Sequence, residues 1–255
     1  MASAAKPLAG RTILVTGASG AIGTAIVEAL AGDGARPIIH YSKDQARAEA
    51  LLQRIGGAGL VVQADLSDPG GVLTLWDEAL AATGRIDGLI NNAGIRTTVP
   101  IDVDLAVWQE AWRREFQVNV QAAVDLCRSA ILHFRTLGGG RIVNMASRAG
   151  QRGYAADTMP YGASKAALIN VTKSIARSFG AENIVAVAIS PGWVSTDMAA
   201  EFVARHGLQA AVSDIPIGRM AGPEEVAELA AFVMRDSQRS LNGATLDVNG
   251  GSYIR

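Results

Sequence analysis

Short runs of consecutive apolar residues alternate along this chain with longer stretches whose apolar positions recur every three or four residues. Thr12–Val15, Pro37–His40, Leu60–Gln63, Gly88–Asn91, Arg141–Asn144, Ile184–Ile189 and Thr245–Val248 are of the first kind and predict seven strands. Between them, Ala21–Ala31, Gln45–Ile55, Val72–Ala82, Leu105–Phe134, Gly162–Phe179 and Glu224–Met234 predict helices. Runs such as Ile13-Leu14-Val15 and Ile184-Val185-Ala186-Val187 lack the polar alternation of a half-solvated strand. A strand apolar on both sides is covered on both faces, which is the condition of a parallel sheet. Regular alternation of strand and helix therefore predicts an α/β fold, a doubly wound parallel seven-stranded sheet with helices on both faces. The stretch 195–220 breaks the rhythm and reads as a lid or pocket wall. No repeat or linker interrupts the pattern, so 1–255 reads as one domain, with 1–9 a loose terminus.

Composition narrows the class. Hydrophobic residues make up 49% of 255, enough for a large core, while aromatics at 5% suit helices packed closely on a sheet better than an all-β sandwich. Twenty-three Lys and Arg against 24 Asp and Glu leave a net charge of −1, which argues against a nucleic-acid partner. No uncharged run approaches the ~20 residues of a membrane helix. The first ten residues lack the apolar core of a secretion signal. The single cysteine, Cys127, lies in an apolar helical stretch and reads as a buried thiol of a reducing compartment. A cytoplasmic protein without a membrane partner is expected. His40, His133 and His206 show no metal-ligand spacing, so no metal is expected.

Candidate chemistry gathers where strands end. Thr16-Gly17-Ala18-Ser19-Gly20-Ala21-Ile22-Gly23 follows the first strand and opens the first helix. Gly17 permits a tight turn, Gly23 permits close helix packing, and the small residues between let backbone amides approach a pyrophosphate. Asp65 ends the third strand, either to accept a bond from an adenine amino group or to cap the next helix. Asn91-Asn92-Ala93-Gly94 ends the fourth strand and Ser147 follows the fifth, on the rim where open α/β sheets bind ligands. Asn119 sits in a helical stretch where Asn has poor propensity, so a local hydrogen-bonding role is expected. Tyr161 and Lys165 lie one helical turn apart, and a fixed cation beside a phenol draws its pKa down from ~10.

In this order and spacing, these motifs, with Pro191-Gly192 and the tail Val248-Asn249-Gly250-Gly251, resemble the short-chain dehydrogenase/reductase family in its compact form, over about residues 8–252. The resemblance implies a Rossmann-like fold and reversible hydride transfer between a nicotinamide and a carbonyl or alcohol. Tyr161 would be the acid or base, and Lys165 would lower its pKa and hold the nicotinamide ribose. Ser147 would polarise the carbonyl and Asn119 would hold a relay water. Pro191, Gly192, Val194 and Thr196 would lie along the nicotinamide. Gly17, Ser19, Ala21, Ile22, Asp65, Leu66, Asn92, Ala93 and Gly94 complete the implied cofactor set. Ala21 stands where the family usually has a glycine.

The second strand ends His40-Tyr41-Ser42-Lys43, with Tyr41 where NAD-preferring relatives carry an acid. Ser42 and Lys43 would accept a 2′-phosphate, so NADP(H) is favoured and NAD(H) possible. The tail resembles that of 3-oxoacyl-carrier-protein reductases. Gly138 and Glu182, however, occupy the two positions where those enzymes carry basic docking residues, which favours a small free substrate. Arg96 or Arg148 could pair with an anionic substrate group, or serve as surface or interface arginines. Trp193 could line the pocket or pack in the core. Leu126, Ile131, Phe134, Leu168, Val171 and Ile175 are more apolar surface than one sheet contact needs, and predict a homotetramer, with a dimer as fallback.

Overall fold

The computed structural model describes residues 6–255. Strands β1 (Thr12–Val15), β2 (Arg36–Tyr41), β3 (Leu60–Gln63), β4 (Gly88–Asn91), β5 (Gly140–Met145), β6 (Ile184–Pro191) and β7 (Thr245–Val248) form one sheet. Their order is β3-β2-β1-β4-β5-β6-β7, and every neighbouring pair is parallel. The chain leaves β1 in one direction through β2 and β3, then returns to β4 on the other side. That reversal opens a crevice at the carboxyl ends of β1 and β4.

Successive strand residues point to opposite faces, and both faces are covered. Ile13, Val15, Ile39 and Val143 join one core layer with α1 (Ala21–Gly32), α2 (Gln45–Arg54) and α10 (Pro223–Met234). Leu14, Ile38, Leu89 and Ile142 join the other, with α3 (Pro69–Thr83), α5 (Ala122–Leu137) and α7 (Met159–Phe179). Each fully buried Leu or Ile in these layers contributes about 1.5–3 kcal/mol. This two-sided burial is the origin of the unbroken apolar runs in the sequence.

Several boundaries differ from the sequence pattern. Helix α3 starts three residues early because the Asp68 carboxylate accepts from Gly70 N at 3.0 Å and Pro69 suits a first turn. Asp68, not Asp65, is thus that helix's cap. The stretch expected as one helix at 105–134 is α4 (Leu105–Phe116) and α5, joined through a π turn at Gln117–Gln121. Short α6 (Ala149–Arg152) was hidden by its length, and the irregular 195–220 stretch contains α8 (Asp197–His206) and α9 (Leu208–Val212).

The terminus expected to be loose, 1–9, falls partly outside the described residues. Residues 1–5 lie outside the described residues, whereas Leu8 is buried and its N–H donates to Asp33 O at 2.9 Å. The apolar residues that suggested subunit contacts also need correction. Leu126, Ile131, Phe134 and Ile175 are already buried in the core layer of α3, α5 and α7, Val171 packs partly buried against it, and Leu168 is buried as well. Among the described residues, no helix is long and apolar enough to cross a membrane.

Candidate active site

The crevice at the sheet's carboxyl rim holds a cavity of about 620 Å³. The turn between β1 and α1 forms one end. Gly17 takes φ +62°, and a Cβ there would lie 2.8 Å from Ala93 Cα. A Cβ on Gly23 would lie 2.4 Å from Gly17 O, so only glycine lets α1 pack this close to its own turn. The Thr16 hydroxyl oxygen accepts from Asn92 N and Ala93 N, both at 3.0 Å, and Asn92 Nδ2 donates to Thr16 O at 2.9 Å. The turn is therefore bolted to the end of β4. No side chain caps α1, so the N–H groups of its first turn keep their capacity for an anion. The glycine cradle and bare helix start fit a pyrophosphate, and Ala21 does not disturb the helix that begins at it.

His40 completes this end. Its Nδ1 accepts from Gly17 N at 3.0 Å, and its Nε2 lies 3.2 Å from Ala64 O, which fixes the neutral Nε2–H tautomer. Burial pushes its pKa down to about 4. Unfolded chain binds this proton near pH 6.5, so between that pH and about 4 the unfolded state holds more protons. Stability present above pH 6.5 is accordingly lost as the pH falls, by about 3 kcal/mol once pH 4 is reached. Urea unfolding at stepped pH should show this slope in the native protein and a flatter one in His40→Gln.

Most of the cofactor set named from the sequence lines the cavity. Tyr41 does not; it is buried in the layer beneath α1 and α2. Strand alternation turns His40 and Ser42 toward the cavity and Tyr41 away from it. Asp65 lines the cavity, and its carboxylate accepts from Ser67 N at 2.9 Å and Ser67 Oγ at 2.7 Å. Those bonds, with Lys43 and Arg114 nearby, hold it below the usual carboxylate range. Arg114, on α4, also lines this end and was not singled out in the sequence. The Thr196 hydroxyl, besides lining the cavity, caps α8 through Ala199 N.

At the other end, Ser147, Tyr161 and Lys165 line the same space. Lys165 Nζ donates to Met145 O at 2.9 Å, which ties α7 to the end of β5. A second tie runs deeper: Asn91 Nδ2 donates to Asn144 Oδ1 at 2.8 Å, and Asn144 Nδ2 to Thr172 Oγ1 at 2.9 Å. These bonds fix α7 against both central strands.

The electrostatics differ from the simple pair expected. Burial pushes the Tyr161 phenol up to about 12, against a lowering hydrogen bond from Ser147 and the positive charge of Arg96. Lys165, 5.7 Å from the Tyr161 ring centroid, is itself drawn down to about 8 by burial, against the nearby Glu115 carboxylate. Desolvation thus outweighs the Ser147 bond and the Arg96 charge, and at neutral pH the phenol holds its proton.

Asn119 lies behind the cavity wall, at the centre of the π turn. Its Oδ1 accepts from Ile95 N at 2.8 Å, and its Nδ2 reaches Ile95 O, Glu115 Oε1 and Ser164 Oγ within 3.1 Å. A Cβ on Gly94 would lie 3.2 Å from Lys165 Nζ and 3.3 Å from Asn119 Oδ1, so that glycine keeps the two groups facing one another. Glu115 was missed in the sequence. It is wholly buried, accepts from Thr97 N at 2.8 Å, and carries a pKa raised by desolvation. Its position four residues before Asn119, one helical turn, was the available signal.

The candidate substrate arginines separate. Arg148 is buried and paired with Asp214 at 3.0 Å, a carboxylate also held by Arg152 at 2.9 Å. Arg96 stands over the Trp193 ring, 5.6 Å from its centroid. Trp193 lines the cavity and packs on Phe202 of α8, with ring centroids 4.7 Å apart.

Comparison with known proteins agrees with this geometry. A family model described as enoyl-(acyl carrier protein) reductase matches residues 17–253. The 3-oxoacyl-acyl-carrier-protein reductase of Escherichia coli is 32% identical over 247 residues, covering 96% of this chain and 98% of the relative. The cis-4-hydroxycyclohexanecarboxylate dehydrogenase of Sinomonas cyclohexanicum is 38% identical over 253 residues, covering 96% and 98%. A solved chain from Beutenbergia cavernae, assigned as an NAD(P)-dependent gluconate 5-dehydrogenase and holding NADP at low occupancy, superposes with a TM-score of 0.88 at 34% identity, over 96% of this chain and 97% of that one. With a glycine turn at the start of α1, a Ser147–Tyr161–Lys165 cluster at the sheet's rim and relatives matched end to end, the chain belongs to the short-chain dehydrogenase/reductase family, whose members are nicotinamide-dependent oxidoreductases of alcohols and ketones.

Proposed function

We propose that this enzyme uses NADP(H) in preference to NAD(H) and interconverts a small free ketone with its secondary alcohol. The observation that carries the reading is the single cavity joining the glycine turn to Ser147, Tyr161 and Lys165. A bound nicotinamide supplies or accepts the hydride. Tyr161, protonated at neutral pH, gives its proton to the carbonyl oxygen in reduction and takes it back in oxidation. The Ser147 hydroxyl donates to the same oxygen and polarises it. Lys165 keeps one N–H on Met145 O and offers the others to ribose hydroxyls and to a water between itself and Asn119. Glu115 holds the Asn119 amide in the orientation this requires.

The coenzyme preference rests on charge. Ser42, Lys43 and Arg114 line the end where β2 finishes, and Tyr41 puts no acid there. The carboxylates of Asp44 and Asp65 are occupied by Arg47 N and by Ser67. A 2′-phosphate can pair with Lys43 and Arg114 there, and no carboxylate stands at the Tyr41 position. Against carrier-protein docking, Glu182 places a carboxylate at one of the two positions expected to be basic, paired with Arg135 at 2.9 Å, and Gly138 only ends α5. A homotetramer is the assembly we favour. Its support is the outer side of α4, where Leu105 and Val107 are exposed and Trp108, Trp112 and Phe116 stack in series. The buried Cys127 thiol, pushed up to about 12, is inert and suits the cytoplasm.

Oxidation of NADPH and NADH against a panel of neutral and charged ketones tests the reading. The expected result is a kcat/KM at least about tenfold higher with NADPH, a difference of ~1.4 kcal/mol. Equal or better use of NADH would overturn the coenzyme assignment, and turnover only of carrier-linked ketones would overturn the substrate class.

A further inference from the structure

Beyond Tyr161 the cavity adjoins a second chamber of about 460 Å³, and the two share Arg96, Arg148, Tyr154 and Trp193. Arg96, Arg148, Arg152 and Arg205 line this chamber against Asp157 and Asp214, four cations to two acids. The four are not equivalent. Arg148 and Arg152 share the Asp214 carboxylate, and Arg205 is exposed on α8. Arg96 is half-buried and, among the described residues, has no carboxylate within ion-pair distance. Its partners are neutral: Nη2 donates to Met198 O at 3.2 Å, and Nη1 lies 3.5 Å from Tyr154 Oη. A guanidinium carries five N–H donors, so these contacts leave most of its capacity unspent. A partly desolvated cation without a counter-ion is costly unless a ligand supplies one.

We propose that the substrate is anionic, an oxo acid or the matching hydroxy acid, with its carboxylate paired to Arg96 above the flat face of Trp193. The assignment rests on the ketone–alcohol reading and names the substrate class for that site. A planar carboxylate matches two parallel N–H groups of one guanidinium, and one uncompensated arginine matches a single negative charge. Arg148 is not the partner, because an anion there would have to displace Asp214. The proximity of Arg96 to Tyr154, whose ring centroid lies 5.8 Å from that of Tyr161, puts the anion at the same end as the proton donor.

The test compares levulinate and its longer oxo-acid homologues with their methyl esters, using the full chain and NADPH. For at least one chain length the acid should be preferred about tenfold or more in kcat/KM, and added salt should weaken that preference. Arg96→Met should erase it, chiefly through KM, and Arg96→Lys should restore part. Acids and esters turned over alike by the native protein would overturn the anion assignment while leaving hydride transfer intact. A uniform loss on both in Arg96→Met, with the preference kept, would assign Arg96 to holding α8 through Met198 and equally overturn it. Should no ketone react, the catalytic reading fails by itself. Calorimetric titration of the acids into the NADP-loaded protein then decides the anion site, which falls unless they bind and Arg96→Met abolishes binding.

Discussion

Tyr161→Phe should lower kcat by about a thousandfold or more while leaving NADPH affinity within a few-fold. General acid catalysis contributes typically 10²–10⁴ in rate, and the phenol, which holds its proton at neutral pH, is the donor assigned beside Ser147. The substitution removes the oxygen alone. The ring keeps its place beside Tyr154, and α7 keeps its bonds to β5 through Lys165 and to β4 through the buried amides. Stopped-flow turnover with a reactive ketone, together with fluorescence titration of NADPH, separates the two effects. A variant retaining most of its rate would show that another group delivers the proton.

Lys165→Met should act on both quantities. Loss of its N–H donors should weaken NADPH binding by about tenfold or more, and the rate should fall by a further factor of about a hundred. Burial without a salt bridge sets the lysine's pKa near 8, so its charge is present at neutral pH and lost as the pH rises through that value. Reduction by the native protein should therefore decline with a midpoint near pH 8, and the residual activity of Lys165→Met should lack that limb. A pH–rate series on both proteins checks it. An unchanged alkaline limb in the variant would move the titration to a different group.

Much of the scaffold was legible because burial on two faces writes unbroken apolar runs. β1, β3, β4 and β7 were located to the residue for that reason. The rim motifs were equally plain, since Gly17, Gly23 and Asn92 occupy positions where a larger or less polar side chain would collide or leave carbonyl acceptors unmet. What escaped depends on contacts across the sheet. His40 lies at the end of β2, and only its distance to Gly17 N, from a different strand's loop, reveals it as the turn's support. Tyr41 was placed by its alignment with the family's acid, although period-two alternation assigns the cavity to its neighbours on either side. Glu115 stands beside Arg113 and Arg114 on α4, and nothing in that local run announces that it is buried and bonded to Thr97 N and Asn119. The tuning of Tyr161 was misjudged because one-turn spacing gives proximity to Lys165 but says nothing of the desolvation that opposes it.

The walls of the cavity are anchored in different ways, and that governs how this enzyme can change. Lys165 is tied to the backbone at the end of β5, Asn119 to the backbone of Ile95 after β4, and Tyr161 rides on the same helix as Lys165. The wall of α8 and α9 is held by arginine side chains instead: Arg148 and Arg152 on Asp214, and Arg96 on the Met198 carbonyl. Residues 197–215 make no hydrogen bond to Tyr161 or Lys165, but Asp214 has to stay, because it is the counter-ion of the buried Arg148 beside Ser147. A graft of this segment from a relative, with Asp214 retained, should therefore alter which ketones fit while Arg96, Trp193 and Tyr161 stay the recipient's own.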